Sequence, residues 1–228
     1  MFPLHDENPT QSTPYFTYGL IATNILIFLY QVSLAPEELG EFYHLFAVVP
    51  RQLSASFTGV AVNQPVPEWL TLFTSQFLHG SWMHLLGNML FLWIFGNNVE
   101  DKLGHVKFII FYLICGMLAA LTQWFFSQSS DIPSLGASGA IAGVMGAYII
   151  RFPRAKVLTL VFLGYFITTV RIPAMVFLGI WFVTQAISSF ASLNAPANMG
   201  GIAYWAHAGG FVFGAILAPL MGLFDYDE

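Results

Sequence analysis

Charge is what this sequence has least of. Asp, Glu, Lys and Arg make up 8% of its 228 residues, where an ordinary soluble domain carries about 25%. With 57% hydrophobic residues and a mean hydropathy of +0.69, that scarcity excludes a soluble domain of this length and points to an integral membrane protein. The seven Lys and Arg form no basic run, which argues against a nucleic-acid partner. The one cysteine, Cys115, sits in an apolar segment, so neither a disulfide framework nor a thiolate metal site is supported, and no cofactor or metal is expected. Met1–Tyr15 is polar and lacks a cationic start, so it does not read as a cleavable signal peptide. There is too little polar sequence for a second, soluble domain. The chain is expected to comprise a cytoplasmic segment 1–17, one helical membrane domain 18–224 and a short acidic tail 225–228.

What is present is a series of apolar segments separated by turn formers. Tyr18–Leu34 is the first, closed by Pro36. Pro36–Glu68 is too polar to cross a bilayer yet carries Phe42, Tyr43, Phe46 and Phe57, a mixture suited to the membrane interface. Trp69–His79 leads to the second segment, Trp82–Val99, which Asn97, Asn98, Glu100, Asp101 and Lys102 close. Val106–Phe126 is the third, and Asp131–Gly136 enters a short fourth, apolar over Ala140–Ile150 and stopped by Arg151. Val157–Val170 has fourteen residues, short of the roughly 20 that a span requires, and is expected to lie along one membrane face. Ala174–Phe190 is the fifth segment, Ser192–Gly201 a flexible loop, and Trp205–Phe224 the sixth. The predicted fold is therefore an all-α membrane protein with six transmembrane helices.

Six crossings put Lys102, Lys107, Arg151, Arg154, Lys156 and Arg171 on one side and Arg51 alone on the other. By the positive-inside rule the crowded side is cytoplasmic, so both termini are cytoplasmic. A seventh crossing at Val157–Val170 would place Arg171 outside, and is rejected.

The fourth segment is the informative one. From Ser138 to Arg151 a helix rises only about 20 Å, against a hydrocarbon core roughly 30 Å thick. If Arg151 marks one face, Ser138 lies about 10 Å below the other, where free N–H groups of a helix start need protein or a water-filled cavity. An isolated Gly-x-Ser-Gly more often serves helix packing than catalysis. Here, however, His84 and Asn88 share one helical face near the external start of the second segment, and His207 opens the sixth. Three helices thus bring polar groups to one depth, where each is costly and a functional hypothesis by default. Gly139-x-x-x-Gly143 and Gly210-x-x-x-Gly214 are close-approach patterns that would bring Ser138 within hydrogen-bonding reach of His207. His207 then serves as general base to a Ser138 nucleophile, in a dyad with no acidic third member, since no segment carries an internal carboxylate. His84, Asn88 and the Ser138 backbone N–H supply donors to a developing oxyanion.

His79-x4-His84-x3-Asn88, Gly136-x-Ser138-Gly139 and His207-x2-Gly210-x3-Gly214 together resemble the rhomboid family of intramembrane serine proteases. The resemblance covers nearly the whole chain and implies a six-helix rhomboid-like bundle. It places the family's nucleophile on Ser138, its general base on His207 and its oxyanion side chains on His84 and Asn88. His79, Gly136, Gly139 and Gly210 take supporting positions, with Glu100 and Gly104 after the second helix. It implies a serine-type endopeptidase that cuts transmembrane protein substrates in or beside their helices within the lipid bilayer. Two positions depart from the family pattern. Trp69 is followed by Leu70, where many members have Arg, and Ala142 stands where some have Tyr, which leaves open what supports the His207 ring. A relative that binds membrane clients without cutting them, a transporter and a haem protein are the competing readings. The dyad residues, the one-sided polar layer and the lack of an attachment motif count against each in turn. The fifth helix is expected to turn Phe177, Trp181 and Phe182 to lipid and, with the Ser192–Gly201 loop, to control lateral substrate entry. The oligomeric state is not legible.

Overall fold

The structure is a computed structural model that describes residues 2–59, 65–164, 166–193 and 203–225. It is mostly helical. In chain order come β1 (Phe2–Asp6), α1 (Tyr15–Gln31), α2 (Pro36–Phe46), α3 (Pro50–Phe57), α4 (Glu68–Thr74), α5 (Trp82–Leu103), α6 (His105–Phe126), α7 (Ser138–Arg151), β2 (Lys156–Leu163), β3 (Phe166–Pro173), α8 (Ala174–Ser192) and α9 (Tyr204–Leu220).

The six apolar segments appear as α1 and α5 to α9. Two of these, α6 and α8, are each long and apolar enough to cross a membrane, whereas α7 and α9 are apolar but shorter. The interfacial stretch folds into the short α2 and α3. Pro36 and Pro50 occupy their first turns, where a missing N–H costs nothing.

The expectation of an all-α fold fails between α7 and α8. Val157–Val170 forms most of the β2–β3 hairpin, with Val157 opposite Ile172 and Leu163 opposite Phe166. β1 pairs antiparallel to the other edge of β2, completing a three-stranded sheet. The physical reason is local. Val157, Thr159, Val161, Ile167, Thr168, Thr169 and Val170 are β-branched, and Gly164 takes the positive φ of +64° that the turn needs.

At the centre stands α7, buried from Gly139 to Tyr148 around its whole circumference. A helix that is apolar on every face belongs inside a bundle. Its closest neighbour is α9, met backbone to backbone. A Cβ on Gly210 would lie 2.1 Å from the Gly139 carbonyl oxygen, and one on Gly214 would lie 2.0 Å from that of Gly143. Large apolar side chains, among them Leu26, Trp93, Ile110, Ile187 and Leu220, point outward and stay exposed. That is the inverse of a water-soluble surface.

The N-terminal residues are tied to the ends of α5 and α7. The buried Glu100 carboxylate accepts from the Phe16 and Thr17 N–H groups at 2.9 and 2.7 Å, capping α1, and lies 2.6 Å from His105 Nδ1. Asp101 accepts from the Gln11 and Ser12 N–H groups, and the Tyr148 hydroxyl donates to Asp6 at 2.6 Å. Burial raises the Asp6 carboxyl above its ordinary pKa, while Arg171 beside it in the sheet holds Glu7 below the usual range.

The faces of α8 are also not as expected. Phe177 is buried and packs against Phe91 and Phe95, Phe182 stacks on Phe211, and Trp181 lies against His207. Met175, Val176, Ile180, Val183, Ile187 and Phe190 are among its exposed residues. Phe177, Trp181 and Phe182 face inward because ring–ring contact with α5 and α9 fills volume that the small residues of α7 leave open. Residues 194–201 of the expected entry loop lie outside the described residues, as do 226–228 of the tail.

Candidate active site

The turn before α7 sets up the site. Gly136 has φ +129°, a conformation that favours glycine, and its N–H donates to the Ser75 carbonyl at 2.9 Å. A side chain here would also strike the His84 ring, since a Cβ would stand 2.8 Å from both Cε1 and Nε2. The same point is 3.6 Å from Ser138 Oγ. Gly136 is thus the gap across which His84 and Ser138 face each other. Gly139 allows α6 to approach, because a Cβ there would meet Ala119 Cβ at 2.6 Å.

Ser138 opens α7, and His207 lies in the first turn of α9. Ser138 Oγ is 2.7 Å from His207 Nε2, a hydrogen bond between residues 69 positions apart in sequence. It follows from the glycine contact between the two helices, since Gly210 meets the Gly139 carbonyl one turn beyond His207. His207 is 9% exposed.

The side chains read as oxyanion donors are arranged differently from each other. On α5, Ser81 Oγ caps the helix by accepting from the His84 N–H at 3.2 Å. His84 Nδ1 receives the Gly80 N–H at 3.5 Å, which leaves the proton on Nε2, on the Gly136 side. Asn88 is buried and its Nδ2 lies 3.0 Å from His79 Nε2. One of its two N–H donors is therefore occupied, and one is left over. His79 stacks edge-on against His84 with ring centroids 5.1 Å apart. The backbone of His79 is fixed by α1 and α2. Gln31 accepts the His79 N–H and donates to its carbonyl, both at 3.1 Å, and the Tyr43 hydroxyl donates to the same carbonyl at 3.1 Å.

Three polar partners near the site escaped the sequence reading: Gln31, Tyr43 and Gln185. Gln185 on α8 has Oε1 2.8 Å from His207 Nδ1. A signal for it was present, as an amide within an apolar helix is expensive and marks function by default. Among the described residues no group of three or more His, Cys, Asp or Glu converges as a metal site. The arrangement as a whole contains a hydroxyl bonded to an imidazole and N–H donors close by. Such a set is equipped for acyl transfer through a serine ester.

Comparison with known proteins gives the family. Residues 66–224 match the model of the Rhomboid domain family. The chain is 30% identical over 151 residues to Rhomboid protein 1, mitochondrial, of Saccharomyces cerevisiae, covering 64% of this chain and 40% of the relative. It is 29% identical over 165 residues to Rhomboid-like protein 11, chloroplastic, of Arabidopsis thaliana, covering 69% and 54%. It is 30% identical over 211 residues to Rhomboid protease GluP of Bacillus subtilis, covering 92% and 35%. The chain spans about a third to a half of the length of these relatives.

Proposed function

The chain belongs to the rhomboid family of integral membrane proteins, and from that premise we propose that it is an intramembrane serine endopeptidase. The observation that carries the proposal is the 2.7 Å bond between Ser138 Oγ and His207 Nε2. As Oγ attacks a substrate carbonyl, Nε2 takes the hydroxyl proton, and the imidazolium later returns it to the leaving amine. The oxyanion of the tetrahedral intermediate accepts from the Ser138 backbone N–H, His84 Nε2–H and the spare Asn88 N–H. Water then hydrolyses the ester, with His207 again acting as base.

Six transmembrane helices, α1 and α5 to α9, carry this site, with both termini and the three-stranded sheet on the cytoplasmic side. Arg154, Lys156 and Arg171 at that end accord with the positive-inside rule. The substrates are transmembrane proteins. A stable helix hides its carbonyls in its own hydrogen bonds, so the favoured substrates carry Gly, Pro or small residues near the external helix end. They enter sideways from lipid past α8. The bundle is proposed to lie in a bacterial-type plasma membrane with the site opening externally.

The test is cleavage of a model transmembrane substrate in proteoliposomes, with fluorophosphonate labelling in parallel. Ser138→Ala and His207→Ala should each abolish turnover, and Ser138→Ala should abolish labelling, with thermal melts unchanged. Turnover by folded Ser138→Ala at the wild-type rate would overturn the assignment.

A further inference from the structure

The dyad lies on α7 and α9, yet the opposite side of the His207 ring is held by α8. Gln185 Oε1 stands 2.8 Å from Nδ1, and Trp181, four residues earlier on the same face, lies 5.8 Å from the ring at an interplanar angle of 35°. An amide oxygen only accepts, so Nδ1 carries the ring proton and Nε2 turns its lone pair toward the Ser138 hydroxyl 2.7 Å away. The contact selects the tautomer that a general base needs.

Nothing else among the described residues does this. α7 offers Ala142, and α6 to α9 contain no carboxylate. The titratable group facing the ring from another element is His84 on α5, on the Ser138 side, while Glu100 and Asp101 close the far end of α5. When Nε2 takes the serine proton, the positive charge spreads to Nδ1–H, and the bond to Gln185 becomes a charge-assisted one, stronger than in the resting state. A partner that strengthens at that moment lowers the barrier, not merely the energy of the fold.

We infer that Gln185 is the positioning residue of the general base, a neutral third member acting through His207, supplied by a helix outside the dyad. This rests on the protease reading above. Catalytic competence then depends on the seat of α8, because displacing α8 removes both Gln185 and Trp181 from the ring.

The experiment compares wild type, Gln185→Leu, Gln185→Glu and Ser138→Ala in proteoliposomes, normalised to folded protein by thermal melting. Gln185→Leu keeps the volume and removes the acceptor. It should lower kcat about ten- to a hundredfold with KM unchanged within twofold. Its acid limb in the pH–rate profile should move to lower pH, because the imidazolium loses a partner. Gln185→Glu keeps an acceptor oxygen. It should recover kcat to within a few fold of wild type, with the acid limb displaced to higher pH. A Gln185→Leu enzyme with wild-type kcat and an unmoved acid limb overturns the inference, whatever its thermal stability. Should Gln185→Leu fail to fold, Gln185→Glu decides alone, and an unmoved limb overturns the inference. Ser138→Ala separates the two levels. If it still cuts, the protease reading fails; if it is inert while Gln185→Leu behaves as wild type, only the role of Gln185 fails.

Discussion

Replacing Gly210 with alanine tests whether helix contact creates the dyad. The added methyl would stand 2.1 Å from the Gly139 carbonyl oxygen, where real Cβ contacts do not fall below 3.0 Å. Both partners are backbone, so no side chain can swing away, and α7 and α9 must part by about 0.9 Å. Ser138 and His207 sit within one turn of that contact, and their 2.7 Å bond would stretch toward about 3.6 Å, outside the roughly 2.6–3.2 Å reach of proton transfer. A displacement of about 1 Å at reacting groups costs on the order of a hundredfold in rate. Overpacking of this kind costs about 1–3 kcal/mol of stability, occasionally more. The assay is kcat on a transmembrane substrate, together with a thermal melt of the same preparation. Gly19→Ala is the control, because a Cβ there meets nothing within 4 Å. We expect Gly210→Ala to lose about two orders of magnitude in kcat and Gly19→Ala to match wild type. A Gly210→Ala enzyme that folds and cuts at the wild-type rate would refute the claim that glycine contact sets the dyad distance.

Further outcomes follow from other contacts. His84→Ala and Asn88→Ala should each lower kcat about a hundredfold with little change in KM, because each removes a donor used in the transition state; full activity in both removes the oxyanion role. Glu100→Ala should destabilise the protein by about 3 kcal/mol, as it strips the cap from α1 and leaves buried N–H groups without an acceptor; a loss under about 1 kcal/mol in denaturant titration contradicts this. Burial pushes the Glu68 carboxyl up to about 7. A raised carboxyl stabilises below its ordinary range and loses that contribution as pH climbs through the raised value, so Tm should decline between about pH 5 and 8 and Glu68→Gln should flatten the decline. In a Cys115→Ala background, Ser129→Cys should react with an impermeant maleimide in intact cells and Arg154→Cys only after permeabilisation; the reverse pattern refutes the orientation.

Much of this was legible along the chain, and for a definite reason. Apolar runs and turn formers are local, so the limits of α5, α6, α7 and α8 lie within a few residues of the apolar segments. The two glycine patterns announced the α7–α9 approach, because small residues at every fourth position have few other uses in apolar helices. The β2–β3 hairpin was legible too, in its β-branched residues around Gly164, but a membrane-span length criterion does not register strands. β1 was not, since its strand character depends on β2, more than 150 residues away in sequence, for its hydrogen bonds. Composition and spacing alone determined a membrane protein and singled out Ser138, His84, Asn88 and His207 as candidates for one site. Only the tertiary structure decided which atoms meet. It turned Asn88 to His79, Trp181 and Phe177 inward and Gln185 to the far nitrogen of His207. The physical reason is that side-chain partners across helices depend on helix rotation and axial stagger. These are fixed by packing summed over the whole bundle, and no single segment of the chain encodes them.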